Sequence, residues 1–206
     1  TELTLADGSH LPVLARNPVG YRRLVSAISQ HNLDAGHRQE PAHDLTALAS
    51  ALRSDPTDQT EAASGSCLVL TGTANGPLRR ALGDPRRPDT WDLKAADACL
   101  GHLTELFAAP DRGRPLAAGP TTTAHRQVEG DAAIGLAVEL TLDGGPTDAA
   151  LTDALTRLAH THRLPLVATG AVRCARPIDA RLADVLTATR LVTDLEGARG
   201  HLPAIG

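Results

Sequence analysis

Short apolar runs alternate along this chain with longer stretches whose apolar residues recur at helical spacing. The apolar runs predict four main strands, near residues 10–16, 67–71, 133–141 and 165–169. The helical spacing predicts helices near 18–33, 43–53, 77–82, 92–109, 147–163 and 178–190. Asn17-Pro18 and Asp44 are typical helix starts. Alternation of short strands with helices favours an α/β fold built on a parallel sheet or barrel.

The same spacing predicts which helix faces are buried. In the first helix, Tyr21, Leu24, Val25 and Ile28 are expected to face the core. In the second helix the expected inward residues are Leu45, Leu48 and Leu52, and in the helix near 92–109 they are Leu93, Ala96, Leu100, Leu103 and Leu106.

Two polar segments interrupt the pattern, near residues 54–66 and 110–130. Both contain proline and few apolar residues, and the second is rich in Pro, Gly and Thr. They are predicted to be loops or disordered insertions, and 110–130 is expected to be exposed and mobile. The 206 residues are otherwise interpreted as one domain without an internal repeat.

Composition and charge narrow the function classes. Aromatic residues make up 1% of the chain, which argues against stacking platforms for single-stranded nucleic acid. The net charge is −4, there is one lysine, and the paired arginines 22–23, 79–80 and 86–87 lie on separate predicted elements. We therefore expect weak or no DNA binding by the chain alone. No segment is long and apolar enough to span a membrane, and three widely spaced cysteines favour a reduced compartment, so a cytoplasmic location is predicted.

A glycine-containing turn follows the strand near 67–71. Gly72 and Gly76 could let backbone N–H groups hold a pyrophosphate at the start of the next helix, as in a nucleotide-binding oxidoreductase. The full fingerprint is incomplete, since Leu78 stands where a further glycine is needed. A plain strand-to-helix turn explains the same residues.

Candidate metal ligands are few. His160 and His162 are two residues apart at a predicted helix end, point in different directions, and are predicted to be solvent-exposed. Glu2 and His10 lie on strand-like segments, where a carboxylate and an imidazole at neighbouring strand ends could join a metal site or serve as surface residues. No Ser-His-Asp or Cys-His arrangement is indicated, so no catalytic residue is predicted.

Three groups of short segments together carry a family resemblance. They are His10-Leu-Pro-Val-Leu-Ala-Arg-Asn-Pro-Val-Gly-Tyr-Arg-Arg-Leu24, Leu68-Val-Leu-Thr-Gly72 with Gly76-Pro-Leu-Arg-Arg-Ala-Leu82, and Val138-Glu-Leu-Thr141 with Leu164-Pro-Leu-Val-Ala-Thr169. As a set they resemble the PHP domain of bacterial C-family DNA polymerases, the family of the DNA polymerase III alpha subunit. The closing Gly200-His-Leu-Pro-Ala-Ile-Gly206 resembles the error-prone, mutagenesis-associated branch. Their order and spacing match over essentially the whole chain.

The resemblance implies a distorted (β/α)7 barrel that lacks its first strands here, with divalent metal ions at the carboxyl ends of its strands. Glu2 and His10 match two of the family's ligands, and Asp143 stands where many members have a histidine. Arg173 occupies a further position where members have an imidazole-bearing motif, and its cationic side chain would oppose metal binding. The resemblance thus implies a vestigial site of Glu2, His10 and, more weakly, Asp143, with no tightly bound metal.

Two hypotheses for the function follow from this resemblance, and a third follows from the glycine turn. The leading hypothesis is a mainly structural PHP-type part of an error-prone polymerase that makes DNA during translesion repair and damage-induced mutagenesis. Its partners would be DNA and the other polymerase domains, while this segment alone would be inactive. The alternative is a metal-dependent phosphoesterase or proofreading exonuclease of the PHP class. A nucleotide-binding oxidoreductase depends on Gly72 and Gly76 alone.

Overall fold

The computed structural model describes residues 1–35, 42–53, 66–108, 135–142, 144–170, 175–199 and 202. It contains five strands, β1 (Glu2–Thr4), β2 (His10–Ala15), β3 (Cys67–Leu70), β4 (Gly135–Leu140) and β5 (Leu166–Ala168). Its six α-helices are α1 (Pro18–Ala35), α2 (Leu45–Arg53), α3 (Pro77–Leu82), α4 (Leu93–Phe107), α5 (Asp148–Thr161) and α6 (Ala180–Arg190). The predicted α/β class is confirmed, and each predicted helix and strand has a counterpart.

The five strands form one sheet in the order β1-β2-β3-β4-β5. The β3–β4 and β4–β5 pairs are parallel, but β1–β2 and β2–β3 are antiparallel. The prediction of a parallel sheet is therefore wrong for its first half. The connection between β1 and β2 is too short for a parallel crossover. In the part of this connection that the structure describes, α1 and α2 lie between β2 and β3. The chain re-enters the sheet beside the end of β2, where the Arg16 amide donates to the Ser66 carbonyl at 2.8 Å.

The described strands do not close into a barrel, so the PHP-type barrel is not confirmed. Residues 54–65 and 109–134, where most of the two predicted loop segments fall, lie outside the described residues. Asp143 and Arg173 also lie outside them. Among the described helices, none combines the length and apolar character needed to cross a membrane.

Strand pairing gives the sheet two different faces. One face carries Leu11, Val13, Val69, Leu136 and Val138, which are buried in the main core together with apolar residues of α1 to α5. None of these five strand residues has a charged side chain. The second face carries Glu2, His10 and Glu139, and we call it the polar face.

Helix packing confirms much of the predicted pattern. Leu48, Leu52, Leu100 and Leu103 are buried in the core as expected, and the Asp44 carboxylate accepts a hydrogen bond from the Ala47 amide at 2.8 Å. Tyr21 and Val25 are exposed, because the buried side of α1 instead runs through Arg23, Leu24 and Ala27.

Leu93 is exposed as well, contrary to the prediction. It sits at the start of α4 and lines an open groove of about 520 Å³ between α4 and α5, beside Trp91 and Arg157. Helical spacing alone extends the apolar face into this first turn, but no element of the described structure covers it there.

Candidate functional site

The polar face brings the two predicted metal ligands together. β1 and β2 pair with Glu2 opposite Pro12 and Thr4 opposite His10, so Glu2 and His10 are diagonal neighbours on the same face. The Glu2 Oε1 and His10 Nδ1 atoms are 3.8 Å apart, and both side chains are about one-third exposed. The distance is that of an ion pair rather than a hydrogen bond, and both groups remain open to an incoming ligand.

A tight turn holds His10 at this position. The Asp7 carboxylate accepts hydrogen bonds from the Ser9 amide at 2.8 Å and from the Ser9 hydroxyl at 2.6 Å, and Gly8 has φ +77°. The hydrogen bond from the Ser9 hydroxyl is the main cause of the lowered pKa of Asp7. The positive charge of the Arg80 guanidinium lowers this pKa further. Arg80 also donates to the Asp7 carbonyl at 3.0 Å, which ties the turn to α3.

The Gly72 turn packs directly against the first residue of β2. Gly72 has φ +82°, and a Cβ atom there would lie 2.6 Å from both the His10 carbonyl oxygen and the Gly76 Cα. The His10 amide donates to the Asn75 carbonyl at 2.9 Å. Close backbone packing and a left-handed backbone thus account for this glycine. α3, which follows the turn, is only six residues long.

A third ionisable side chain of the polar face, Glu139, is buried in β4. Its Oε1 accepts a hydrogen bond from Thr169 Oγ1 at 2.5 Å, and its Oε2 has no hydrogen-bond partner among the residues that the structure describes. Its backbone amide donates to Thr71 Oγ1 at 3.0 Å. Thr71 follows β3 and Thr169 follows β5, so the cluster lies at the carboxyl-terminal edge of three parallel strands.

Sequence reasoning did not select Glu139, Thr71 or Thr169 as site residues. A signal was present, since a glutamate inside the apolar run of β4 is unusual for a strand buried on both faces. The hydroxyl partners carried no such signal, because only the strand register brings Thr71 next to the Glu139 backbone amide and Thr169 next to its carboxylate.

The predicted metal site is incomplete among the described residues. Within residues 1–35, 42–53, 66–108, 135–142, 144–170, 175–199 and 202, no group of three or more His, Cys, Asp or Glu side chains is placed to hold a metal ion. Catalytic zinc sites use three protein ligands, whereas Glu2 and His10 supply two. These two residues by themselves do not fit a catalytic metal ion.

The histidines at the end of α5 differ from each other. His160 is exposed as predicted, but His162 is largely buried and its Nε2 lies 2.8 Å from Asp97 Oδ1 on α4. The prediction of an exposed His162 is therefore wrong. α5 ends at Thr161, so His162 turns back toward α4 and packs over Gly101, whose added Cβ would lie 3.6 Å from its ring.

Comparison with known proteins gives evidence from the whole length of the chain rather than from single site residues. The error-prone DNA polymerase of Mycolicibacterium paratuberculosis is 33% identical over all 206 residues of the chain. That of Nocardia farcinica is 34% identical over 199 residues, and that of Mycobacterium tuberculosis H37Rv is 32% identical over 208. The chain is a homologue of one segment of the error-prone DNA polymerases. This confirms the resemblance to that branch of polymerases noted in the sequence.

The match is to a small part of each polymerase. The chain spans about 15% of the length of the curated relatives that it matches. No family model matches the chain. The segment-wide similarity is consistent with a piece of a larger polymerase.

Proposed function

We propose that this chain is the PHP-type portion of an error-prone DNA polymerase and that it mainly supports the polymerase body. One observation carries the proposal: the similarity to error-prone polymerases runs through the whole chain while covering about 15% of each relative. The segments that resemble the PHP domain include β2, the start of α1, β3, α3, β4 and β5. They therefore supply residues of every strand in the sheet except β1.

The parent protein would carry out DNA-templated DNA synthesis during translesion repair and damage-induced mutagenesis. That activity is a nucleotidyl transfer, and it would belong to parts of the polymerase other than this chain. DNA and the other polymerase domains would be its partners, and the cytoplasm its place of action. The similarity of the chain to error-prone DNA polymerases supports the proposal that its parent protein is a DNA polymerase.

A structural role agrees with the residues on the polar face. Glu2 and His10 form a pair 3.8 Å apart, each about one-third exposed, and the Glu139 carboxyl group accepts a hydrogen bond from Thr169. Asp143, the weaker candidate, lies outside the described residues. Two ligands of mixed type would hold a divalent ion weakly, so we propose that Glu2 and His10 are remnants of a metal site.

The alternative function is a metal-dependent phosphoesterase or proofreading exonuclease of the PHP class. The proximity of Glu2 to His10 favours it, because a carboxylate and an imidazole on one accessible face could share a metal ion. The carboxyl group of Glu139 lies on the same face, and no described residue hydrogen-bonds its Oε2 atom. The two proposals differ in whether these side chains are needed for phosphoester hydrolysis.

Replacing a segment of a relative tests the main proposal. In the Nocardia farcinica polymerase, the matched segment is exchanged for this chain, and primer extension is measured. If the chain supports the polymerase body, the exchanged polymerase should extend primers at a rate within about tenfold of the unaltered Nocardia farcinica polymerase. A polymerase from which the segment is deleted should not extend primers. An exchanged polymerase that is stably folded and shows no extension would contradict the proposal.

An assay on the chain alone tests the alternative. Exonuclease and phosphoesterase activities are measured with Mg²⁺, Mn²⁺ and Zn²⁺ added in turn, on the wild type and on Glu2→Gln and His10→Ala. Thr4→Ala is the matched control, because Thr4 lies on the same face opposite His10. We expect no release of nucleotide by any of them. Metal-dependent release that is lost in both site variants and kept in the control would establish the enzyme instead.

A further inference from the structure

The last helix presents an apolar surface that the rest of the described chain does not cover. In α6, Leu182, Val185 and Leu186 recur at the i, i+3, i+4 spacing of a buried helix face, yet they are 62%, 48% and 60% exposed. Ala180 and Ala188 are the buried residues of this helix. The buried side of the helix is therefore formed by small side chains, and its large ones are turned outward.

The uncovered surface extends beyond the helix at both ends. Ile178 precedes α6 and is 60% exposed, and Val192 and Leu195 follow it at 92% and 50%. Val192 also has φ +54°, a left-handed backbone that is costly for a β-branched residue. We call Ile178, Leu182, Val185, Leu186, Val192 and Leu195 the α6 apolar surface.

Such a surface indicates a missing partner. Helices of about eleven residues have little stability in water and depend on packing of their apolar face. Contiguous exposed apolar surfaces in folded proteins commonly mark interaction sites. Exposed charged residues, among them Arg181 and Arg190, flank the apolar ones and would form the polar rim of an interface.

A second copy of this chain is a poor candidate for that partner. Full burial of an aliphatic side chain removes roughly 60–120 Å² from water, so these six, which are on average about 60% exposed, offer roughly 220–450 Å² of apolar area. A specific interface between separate proteins buries about 800 Å² on each partner, of which a little over half, roughly 450 Å², is apolar. Self-association through this surface would thus be weak.

A partner within the same polypeptide needs less contact area. Covalent connection replaces the entropy cost of association with a high effective concentration, so a modest apolar contact is sufficient. The relatives of this chain are polymerases of which the matched segment is about 15%, so most of their sequence lies outside it. A larger polypeptide of this kind provides an intramolecular partner.

We propose that the α6 apolar surface is an intramolecular docking site for an apolar segment of the same polymerase polypeptide, outside the matched region. This inference rests on the proposed function, since it requires a polymerase parent. It goes further by naming the helix and the side chains through which this part of the polymerase is held.

Site-specific cross-linking tests the docking site. The exchanged Nocardia farcinica polymerase carries a photo-reactive amino acid at position 186 or, as a control, at position 157, where Arg157 is exposed on α5. After irradiation, cross-linked peptides are identified by mass spectrometry. We expect position 186 to link to peptides outside the matched segment with at least about fivefold higher yield than position 157. Cross-links between two copies, links confined to this chain, or no link at position 186 would overturn the proposal.

Primer extension by the same exchanged polymerase separates this inference from the proposed function. Extension without the position 186 cross-link contradicts the docking site and leaves the polymerase role intact. Absence of extension in a folded protein contradicts the polymerase role itself.

A variant of the chain alone keeps the proposal open to disproof if the exchanged polymerase fails to fold. Leu182→Lys combined with Leu186→Lys removes two large side chains from the apolar surface. We expect the urea midpoint to change by no more than about 0.3 M, as for a surface substitution, because these residues are not part of the chain's own core. A drop of more than about 1 M would show that they stabilise this chain itself, and would overturn the proposal.

Discussion

Thr169 donates its hydroxyl to the buried carboxylate of Glu139 across the β4–β5 pair, with 2.5 Å between Thr169 Oγ1 and Glu139 Oε1. Within the described part of the chain, the other carboxylate oxygen, Oε2, has no hydrogen-bond partner. A buried acidic group with a single side-chain donor depends strongly on that donor, because its alternative is an unsatisfied oxygen away from water.

Removal of this hydroxyl should therefore destabilise the fold. We predict that Thr169→Val lowers the free energy of unfolding by about 1–3 kcal/mol, measured by urea denaturation. Thr161→Val is the matched control: its hydroxyl bonds the Arg157 carbonyl on the exposed side of α5, and it should change stability by less than about 0.5 kcal/mol. Equal changes in the free energy of unfolding for the two variants would show that the Thr169–Glu139 hydrogen bond contributes no more to stability than an exposed one.

His43 gives the stability a pH dependence. Its ring is buried and stacks on His31 with 4.0 Å between ring centroids, and burial first, then the nearby His31, lowers its pKa from 6.5. The unfolded chain therefore binds this proton at a higher pH than the folded chain does. The contribution of His43 to stability is fully present above pH 6.5 and is lost as the pH falls from there toward the folded pKa.

We predict that the urea midpoint falls between pH 7.5 and 5.5, and that His43→Phe reduces this fall. Phenylalanine preserves a buried ring but does not titrate. The exposed His102 serves as the control, and His102→Gln should leave the pH profile unchanged. A profile that His43→Phe does not alter would assign the pH dependence to other groups.

Cys99 should be chemically inert in the folded protein. Burial, with a smaller effect of the Asp7 carboxylate, raises its pKa to about 11. At pH 7.5 a thiol of this pKa is ionised in roughly one molecule in a few thousand, and only the thiolate reacts. We expect alkylation of Cys99 by iodoacetamide, mapped by mass spectrometry, to be at least about tenfold slower in the native chain than in urea. Equal rates would contradict the buried position.

The end of α6 contains backbone strain that a glycine would relieve. Val192 has φ +54° and follows the last turn of the helix, where the Thr193 amide donates to the Ala188 carbonyl at 3.0 Å. Glycine is the favoured residue at such a helix end. We predict that Val192→Gly stabilises the isolated chain by about 0.5–1 kcal/mol, measured by urea denaturation. Val185→Gly, a glycine in the helix interior, should destabilise it by about 1 kcal/mol.

DNA binding by the chain alone should be weak. The net charge is −4, and in the pairs 22–23 and 79–80 the structure buries Arg23 and Arg79, which removes them from contact with phosphates. Arg86 and Arg87 are both exposed. We predict a dissociation constant above about 10 μM at 150 mM salt in fluorescence anisotropy, with no sequence preference. Binding below 1 μM that persists in the double variant Arg86→Ala, Arg87→Ala would contradict this.

The sequence by itself determined the elements of this protein. Apolar runs and helical spacing placed β2, β3, β4, β5 and the six helices, because the 2-residue and 3.6-residue periods are local properties of the backbone. Asp44 and the glycine turn at Gly72 could also be identified from neighbouring residues alone. The polymerase resemblance likewise came from the order of short segments along the chain.

Tertiary structure alone decided the direction of the strands and the composition of the polar face. Whether β2 pairs antiparallel with β3 depends on the path by which the chain between them returns to the sheet, which no local pattern encodes. The same pairing sets Glu2 beside His10 and Thr169 beside Glu139, residues that are 8 and 30 positions apart. Exposure of Tyr21, Leu93 and Leu182 was also beyond the spacing rule, since a helical stripe shows which residues share a face but not whether a neighbour covers it.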